Sequence, residues 1–290
     1  MSEQDWLATR FEKQRPRLRA VAYRMLGSMS EADDAIQDTW LRVSRADTAH
    51  VENFGAWLTT VLARVCLNAL RSRTQRREQS IDFVMPDPIL DRDSTGNPEH
   101  QALLADSVGI ALLVVLETLT PAERLAFVLH DLFAVPFDEI GGMLERTPDA
   151  ARQLASRARR RMRGRAPVPD QDMARQREVV DAFFAAARNG SFDALIAVLH
   201  PDVVFRADGL GPVRFTLSGA ETVARNARMF GSSSPDFLPV LVNGSAGVLV
   251  VEGGQLKSIT GFTVVSGRIV AIDVLADPRR LAAYDLSFLD

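Results

Sequence analysis

The stretch from Leu119 to Arg165 constrains the fold of this 290-residue chain more than any other. Leu125, Val128 and Leu129 recur at helical spacing from Pro121 to His130, and Ala134-Val135-Pro136 breaks that run. A short helix is predicted over 137–144, with Ile140 and Leu144 on its inner side. Thr147-Pro148-Asp149 then opens a helix to about Met162. Thr147 offers an N-cap oxygen, and Pro148 sits where a missing N–H costs nothing. Two short helices joined by a tight turn, the second dense in Arg, form a helix-turn-helix that lays one helix in the DNA major groove. From Arg152 to Arg165 there are seven Arg and no acid. Arg-rich helices are commonly solvated faces, but the cap, the support helix and the apolar scaffold argue for DNA contact. Arg152, Gln153, Ser156 and Arg157 lie in the first turns, where side chains reach base edges. Arg159, Arg160, Arg161 and Arg163 are placed for phosphates.

The formal net charge of −3 is unusual for a DNA binder until it is divided along the chain. Residues 78–150 carry three Arg against fourteen acids, whereas 71–77 add four Arg and 151–172 seven Arg against two Asp. Positive charge is confined to two short patches, which suits local contact and predicts poor DNA binding by the isolated chain. Cys66 is the single cysteine, which excludes internal disulfides and any Cys-rich metal site. No metal or cofactor is expected. The N-terminus lacks the apolar core of a signal peptide, and no apolar run approaches membrane-spanning length, so a cytoplasmic protein without membrane contact is expected.

Three segments follow one another. Residues 5 to about 77 read as helical. Leu18, Val21, Ala22, Met25 and Leu26 share a face up to Gly27-Ser28, and Ser30 is expected to cap the next helix. That helix has a buried stripe of Ala32, Ala35, Ile36, Trp40 and Val43, opposite Asp33, Asp34, Gln37, Asp38 and Arg42. A third helix is predicted from Phe54 to about Arg71, its core face Trp57, Val61, Val65 and Leu70. Residues 78–100, with three Pro and six acids, argue against regular structure, yet Ile81, Phe83, Val84, Met85, Ile89 and Leu90 are too apolar for a solvated tether. Packing on near neighbours and docking on a distant domain both remain open. From Met173 the pattern becomes helices (to Asn189; 192–199; 219–229) and strand-like runs at 203–206, 213–217, 237–242, 246–252, 256–265 and 269–275. Helices followed by a run of antiparallel strands mean an α+β domain with a curved sheet.

Taken in order, these segments resemble a bacterial sigma factor of the sigma-70 family, extracytoplasmic-function group, carrying a C-terminal SnoaL-like domain. EADDAIQDTWLRVSR (31–45) resembles the sequence that docks on the polymerase clamp helices. FGAWLTTVLARVCLNALRSR (54–73) resembles the helix and loop that melt the −10 element, and 119–165 resembles the sigma-4 domain that reads the −35 element. The implied fold is two all-α sigma domains (a sigma-2 bundle and a sigma-4 helix-turn-helix) plus an α+β SnoaL-like cone. The implied division is 1–77 sigma-2, 78–100 linker, 101–166 sigma-4, 167–172 linker and 173–290 regulatory domain. The implied partners are promoter DNA and core RNA polymerase, through the beta-prime clamp helices and the beta flap. The resemblance assigns Asp33, Asp34, Gln37, Asp38, Trp40 and Leu41 to polymerase, where rim charges set encounter rate and register. It assigns Trp57, Thr60, Arg64, Asn68, Arg71 and Arg73 to the −10 element, supplying the stacking, polar and cationic groups that strand separation needs. It assigns Thr147, Asp149, Arg152, Gln153, Ser156, Arg157 and Arg160 to the −35 element.

The subgroup with this extension carries a Trp-Leu-Pro-Glu-Pro type linker motif, which here reads Phe83-Val84-Met85-Pro86-Asp87-Pro88. Its Gly-rich Asp-Gly-Gly-Gly-Lys type loop reads Ala207-Asp208-Gly209-Leu210-Gly211-Pro212-Val213-Arg214, and its Asn-Pro-Asp-Lys-Leu type motif reads Ala276-Asp277-Pro278-Arg279-Arg280-Leu281. The expectation is that Asp208, Gly209, Gly211 and Arg214 meet Phe83, Met85, Pro86 and Pro88, making the third domain a regulator in cis. Folds of this type hold small apolar ligands and in some members do acid/base chemistry. His200, Arg206, Asp208 and Asp273 form no recognisable catalytic set, and the chain is not expected to be an enzyme. The other readings are a one-component, ligand-responsive repressor and a sigma factor whose third domain is a small-molecule enzyme.

Overall fold

A computed structural model describes residues 3–48, 50–77, 85–91, 109–163, 167–209, 214–227, 236–284 and 286. These divide into two units, the first from 3–77 and 115–163, the second from 85–91, 109–114 and 167–286.

The first unit begins with three helices, α1 (Glu3–Leu26), α2 (Met29–Val43) and α3 (Phe54–Arg77). Ser28, not Ser30, caps α2: its extended backbone turns the hydroxyl back to accept from the Glu31 N–H. Ala32, Ala35, Ile36, Thr39 and Val43 form the buried stripe of α2, and Trp40 is only half-buried. In α3 the buried apolar residues are Phe54, Leu58, Leu62, Ala63, Val65, Cys66, Leu67 and Leu70, with Thr59 buried beside them. The expected Trp57 and Val61 are half-buried instead. The helix also runs past Arg71 to Arg77. After α4 (Ile110–Leu116) come α5 (Pro121–Phe127), which passes into a π-turn (Val128–Leu132), then α6 (Phe137–Leu144) and α7 (Pro148–Met162). Thr120 and Glu123 close a reciprocal capping box on α5. The turn into α7 is tight: a Cβ on Gly141 would lie 2.8 Å from the Arg146 carbonyl oxygen. Glu145 takes the left-handed conformation that ends α6 (φ 55°).

The second unit packs α8 (Met173–Arg188), α9 (Phe192–Val198) and α10 (Ala220–Asn226) on a seven-stranded sheet. The strands are β1 (Leu90–Asp91), β2 (Leu199–Asp208), β3 (Phe215–Ser218), β4 (Asp236–Val242), β5 (Ser245–Glu252), β6 (Gln255–Val265) and β7 (Arg268–Leu275). A short α11 (Pro278–Leu281) follows. The order is β1-β4-β5-β6-β7-β2-β3. The expected antiparallel sheet has one parallel seam. β2 pairs with β7 in parallel, because the intervening chain is long enough for the crossover that parallel neighbours need. The linker stretch read as irregular also contributes a strand, with Leu90 opposite Val242 and Asp91 opposite Leu241.

Each face of the sheet has its own core. One holds Phe183 and Phe184 of α8 against Phe205, Phe262, Val248 and Ile272. Phe183 and Phe184 meet Phe262 with ring centroids 5.7 Å apart, and Phe205 stacks on Phe215 at 5.8 Å. The other gathers Met85, Leu90, Ile110 and Val114 with Val240, Val242, Leu249, Ile259, Leu275 and Leu281.

Candidate nucleic-acid interface

α7 is anchored by Ala151, Leu154, Ala155, Ala158 and Met162, all buried, and capped by Thr147, whose hydroxyl accepts from the Ala150 N–H at 3.2 Å. Burying that face leaves Arg152, Gln153, Ser156, Arg157 and Arg160 exposed together. Asp149 forms an ion pair with Arg152. Two other arginines hold the domain together. Arg159 reaches Asp131 at 2.6 Å, and Arg161 reaches the buried Glu123 at 2.8 Å. Arg159 and Arg161, expected at phosphates, are thus engaged in pairs within the domain though still exposed, and Arg160 and Arg163 are exposed as well.

On α3, Trp57, Thr60, Arg64, Asn68 and Arg71 are spaced by three or four residues, so at about 100° per residue they line one stripe. Arg64, Asn68 and Arg71 are exposed, and Trp57 lies tilted 5.9 Å from Phe54. Arg73 falls roughly opposite, about 160° from Trp57. Its guanidinium donates to the Leu26 carbonyl at 3.1 Å, pairs with Glu31, and lies 3.5 Å from Glu117. Glu117 in turn binds the buried Arg124 at 2.7 Å, and Arg124 donates twice to the Arg24 carbonyl at 3.2 Å. Sequence reasoning missed Glu117, Arg124 and Arg24, whose partners lie up to 100 residues apart. On α2, Asp33, Asp34, Gln37, Asp38 and Leu41 are exposed beside the half-buried Trp40. Asp33 is tied to Arg19 at 2.7 Å.

In the second unit the linker is held by a buried carboxylate. Asp208 is 2% exposed and accepts from the Met85 N–H at 3.2 Å, Arg214 Nε at 2.7 Å and Arg280 Nη1 at 2.9 Å. Arg280 Nη2 reaches the Met85 carbonyl at 2.7 Å and Asp87 at 2.5 Å. Tyr284 donates to the Pro88 carbonyl at 3.0 Å. Ile89 exchanges two hydrogen bonds with Asn243, which sits at φ 51° in the two-residue β4–β5 turn. Met85, Pro86 and Pro88 are all buried. Gly209, at φ 94°, makes a different close approach: a Cβ there would lie 2.1 Å from the Asp277 nitrogen. Phe83 and Gly211 lie outside the described residues. Arg280, Asp87, Asn243 and Tyr284 were not among the expected contacts, although Arg280 and Asp87 sit inside the two degenerate motifs.

The remaining polar candidates are scattered. His200 Nδ1 accepts from the Asp202 N–H at 3.1 Å near the surface. Asp273 pairs with Arg206 at 2.5 Å, and its Oδ2 has no hydrogen-bond partner among the described residues. Burial pushes the Asp273 carboxyl above its usual range despite Arg206. Both alternate with residues of the phenylalanine core (Phe205 and Ala207; Ile272 and Val274), so they point to the other face of the sheet.

Residues 10–76 match the Sigma-70 region 2 family and residues 110–162 the Sigma-70, region 4 family. The ECF RNA polymerase sigma factor SigJ of Mycobacterium tuberculosis is 36% identical, over 95% of this chain and 93% of its own. The chain belongs to the ECF RNA polymerase sigma factors. The probable ECF RNA polymerase sigma factor SigI of M. tuberculosis is 31% identical over 97% of both chains. The crystal structure of M. tuberculosis SigJ matches with a TM-score of 0.75, covering 97% of this chain and all of that one at 33% identity. This sigma factor therefore carries its two sigma regions and its helix-plus-curved-sheet domain in one chain, and it acts in transcription initiation. Among its described residues no helix is long and apolar enough to cross a membrane.

Proposed function

We propose that this sigma factor works in the cytoplasm and reads the −35 element through the exposed stripe of α7. It meets the −10 element through the Trp57–Arg71 stripe of α3, and the polymerase clamp helices through Asp33, Asp34, Gln37, Asp38, Trp40 and Leu41, with the sigma-4 domain at the beta flap. Its C-terminal domain regulates in cis and catalyses nothing. The observation that carries this reading is the grip of Asp208 and Arg280 on Met85 and Asp87, because the gripped segment joins the two DNA-reading regions in sequence. These contacts are directional, so the grip would fix which residues of the linker are held. The face of the sheet under α8 is filled by its own phenylalanine rings.

Single-round transcription with core RNA polymerase tests this, using the full-length chain, Arg280→Glu and a 1–172 truncation. Transcripts should require the added protein, and both altered forms should change their yield. Equal yield from all three would refute regulation in cis. Tight operator binding without polymerase, in the range of about 10 nM, with no transcript, would favour a repressor instead.

A further inference from the structure

We infer that Phe137, backed by His130, positions Arg152 to read one G·C pair of the −35 element. The inference rests on the proposed role of α7 and assigns a residue of the support helix to specificity. Pro136, extended at φ −62° and ψ 147°, places Phe137 as the first residue of α6. The His130 ring stacks on Phe137 with centroids 3.8 Å apart at an interplanar angle of 26°. His130 is itself fixed, because its Nδ1 donates to the Val135 carbonyl at 3.0 Å. The Arg152 guanidinium carbon lies 5.4 Å from the centre of the same phenylalanine ring, and Asp149 pairs with that guanidinium. Phe137 of α6 and Asp149 of α7 thus meet on a single arginine in the first turns of α7, with His130 stacked behind the phenylalanine ring.

Arginine is the commonest specific reader of guanine, through a bidentate contact to O6 and N7. Its long side chain normally has many rotamers to lose on binding. A guanidinium already held by a ring face and a carboxylate loses fewer. Gln153, Ser156, Arg157 and Arg160 share the exposed stripe, but no aromatic ring is recorded against any of them among the described residues. Arg152 is therefore the side chain of that stripe most restricted before DNA arrives. Phe137 is a positioning residue here and touches no base.

The test is selection of a randomised −35 element by the holoenzyme, with full-length wild type, Arg152→Ala, Phe137→Leu and Phe137→Tyr. Wild type should select G at one position. Arg152→Ala should erase that preference and leave the other positions intact. Phe137→Leu should weaken it by about two- to fivefold, the value of an exposed cation–π contact. Phe137→Tyr keeps the ring face and should restore it. Selection by Phe137→Leu identical to wild type would overturn the inference, as would an equal loss at every position, which marks a merely structural residue. If Arg152→Ala itself changes no position, the reading of α7 fails at that residue, a different failure from the first.

Discussion

Replacing Arg280 by Ala should loosen the linker without releasing it. The side chain is 22% exposed and makes three charge-assisted contacts, at 2.5 Å to Asp87, 2.7 Å to the Met85 carbonyl and 2.9 Å to Asp208. Breaking a buried pair costs about 3–5 kcal/mol; the partial exposure and the surviving Arg214–Asp208 pair reduce that to roughly 2–3 kcal/mol. At about 1.4 kcal/mol per decade, the opening equilibrium should rise about 30- to 150-fold. Docking should persist, since Met85, Ile89 and Leu90 are 0%, 5% and 7% exposed. Each is worth about 1.5–3 kcal/mol of apolar burial. Native-state hydrogen exchange reads the change at two amides, Met85, which donates to Asp208, and Ile89, which donates to Asn243. Both should exchange faster by that factor while amides in α2 do not change. Unchanged exchange at both would refute the reasoning and leave the apolar strip as the whole of the grip.

Gly141→Ala should destabilise the helix-turn-helix by about 1–3 kcal/mol in thermal unfolding, because the new Cβ meets the Arg146 carbonyl at 2.8 Å and the Pro148 nitrogen at 3.2 Å. A neutral result would mean that the turn yields. Burial pushes the Cys66 thiol up to about 12, so a thiol reagent at pH 8 should label it only as the first unit unfolds; immediate labelling of the native chain would contradict its burial. The raised Asp273 carboxyl binds its proton more tightly folded than unfolded. Wild type should therefore lose stability relative to Asp273→Asn as pH rises from about 4, the ordinary carboxylate value, through the raised folded one. Urea unfolding across that window checks the sign, and the opposite slope would show that the Arg206 pair outweighs burial.

What the sequence showed clearly was local. Thr147-Pro148 marks a helix start by side-chain chemistry alone, and the structure begins α7 there. The 137–144 helix likewise has the expected ends. Errors came where two neighbours offered the same chemistry. Ser28 and Ser30 can both cap, and only backbone conformation chooses between them. α3 is apolar around much of its circumference, so of the four residues expected on its core face Val65 and Leu70 are buried, while Leu58 and Leu62 are buried where Trp57 and Val61 were expected. Arg73 shares its residue type with Arg71 but lies on the far side of the helix, among Leu26, Glu31 and Glu117. The resemblance led to Asp208, Met85 and Arg214. Arg280 and Asp87 are 193 residues apart, and no spacing rule links them.

The chemistry of the grip bears on what the C-terminal domain can do. Asp208 already accepts three donors, so it has no vacant role as a general base. Asp273 is paired with Arg206 on one side of the sheet, and burial raises its carboxyl despite that partner. The apolar contacts of Met85, Ile89 and Leu90 hold the linker but do not choose its register, because apolar attraction has no direction. Register comes from the polar contacts, the Met85 N–H on Asp208 and the paired bonds of Ile89 with Asn243. A slip of one residue would turn Leu90 from the core to solvent and place a different N–H on the buried carboxylate.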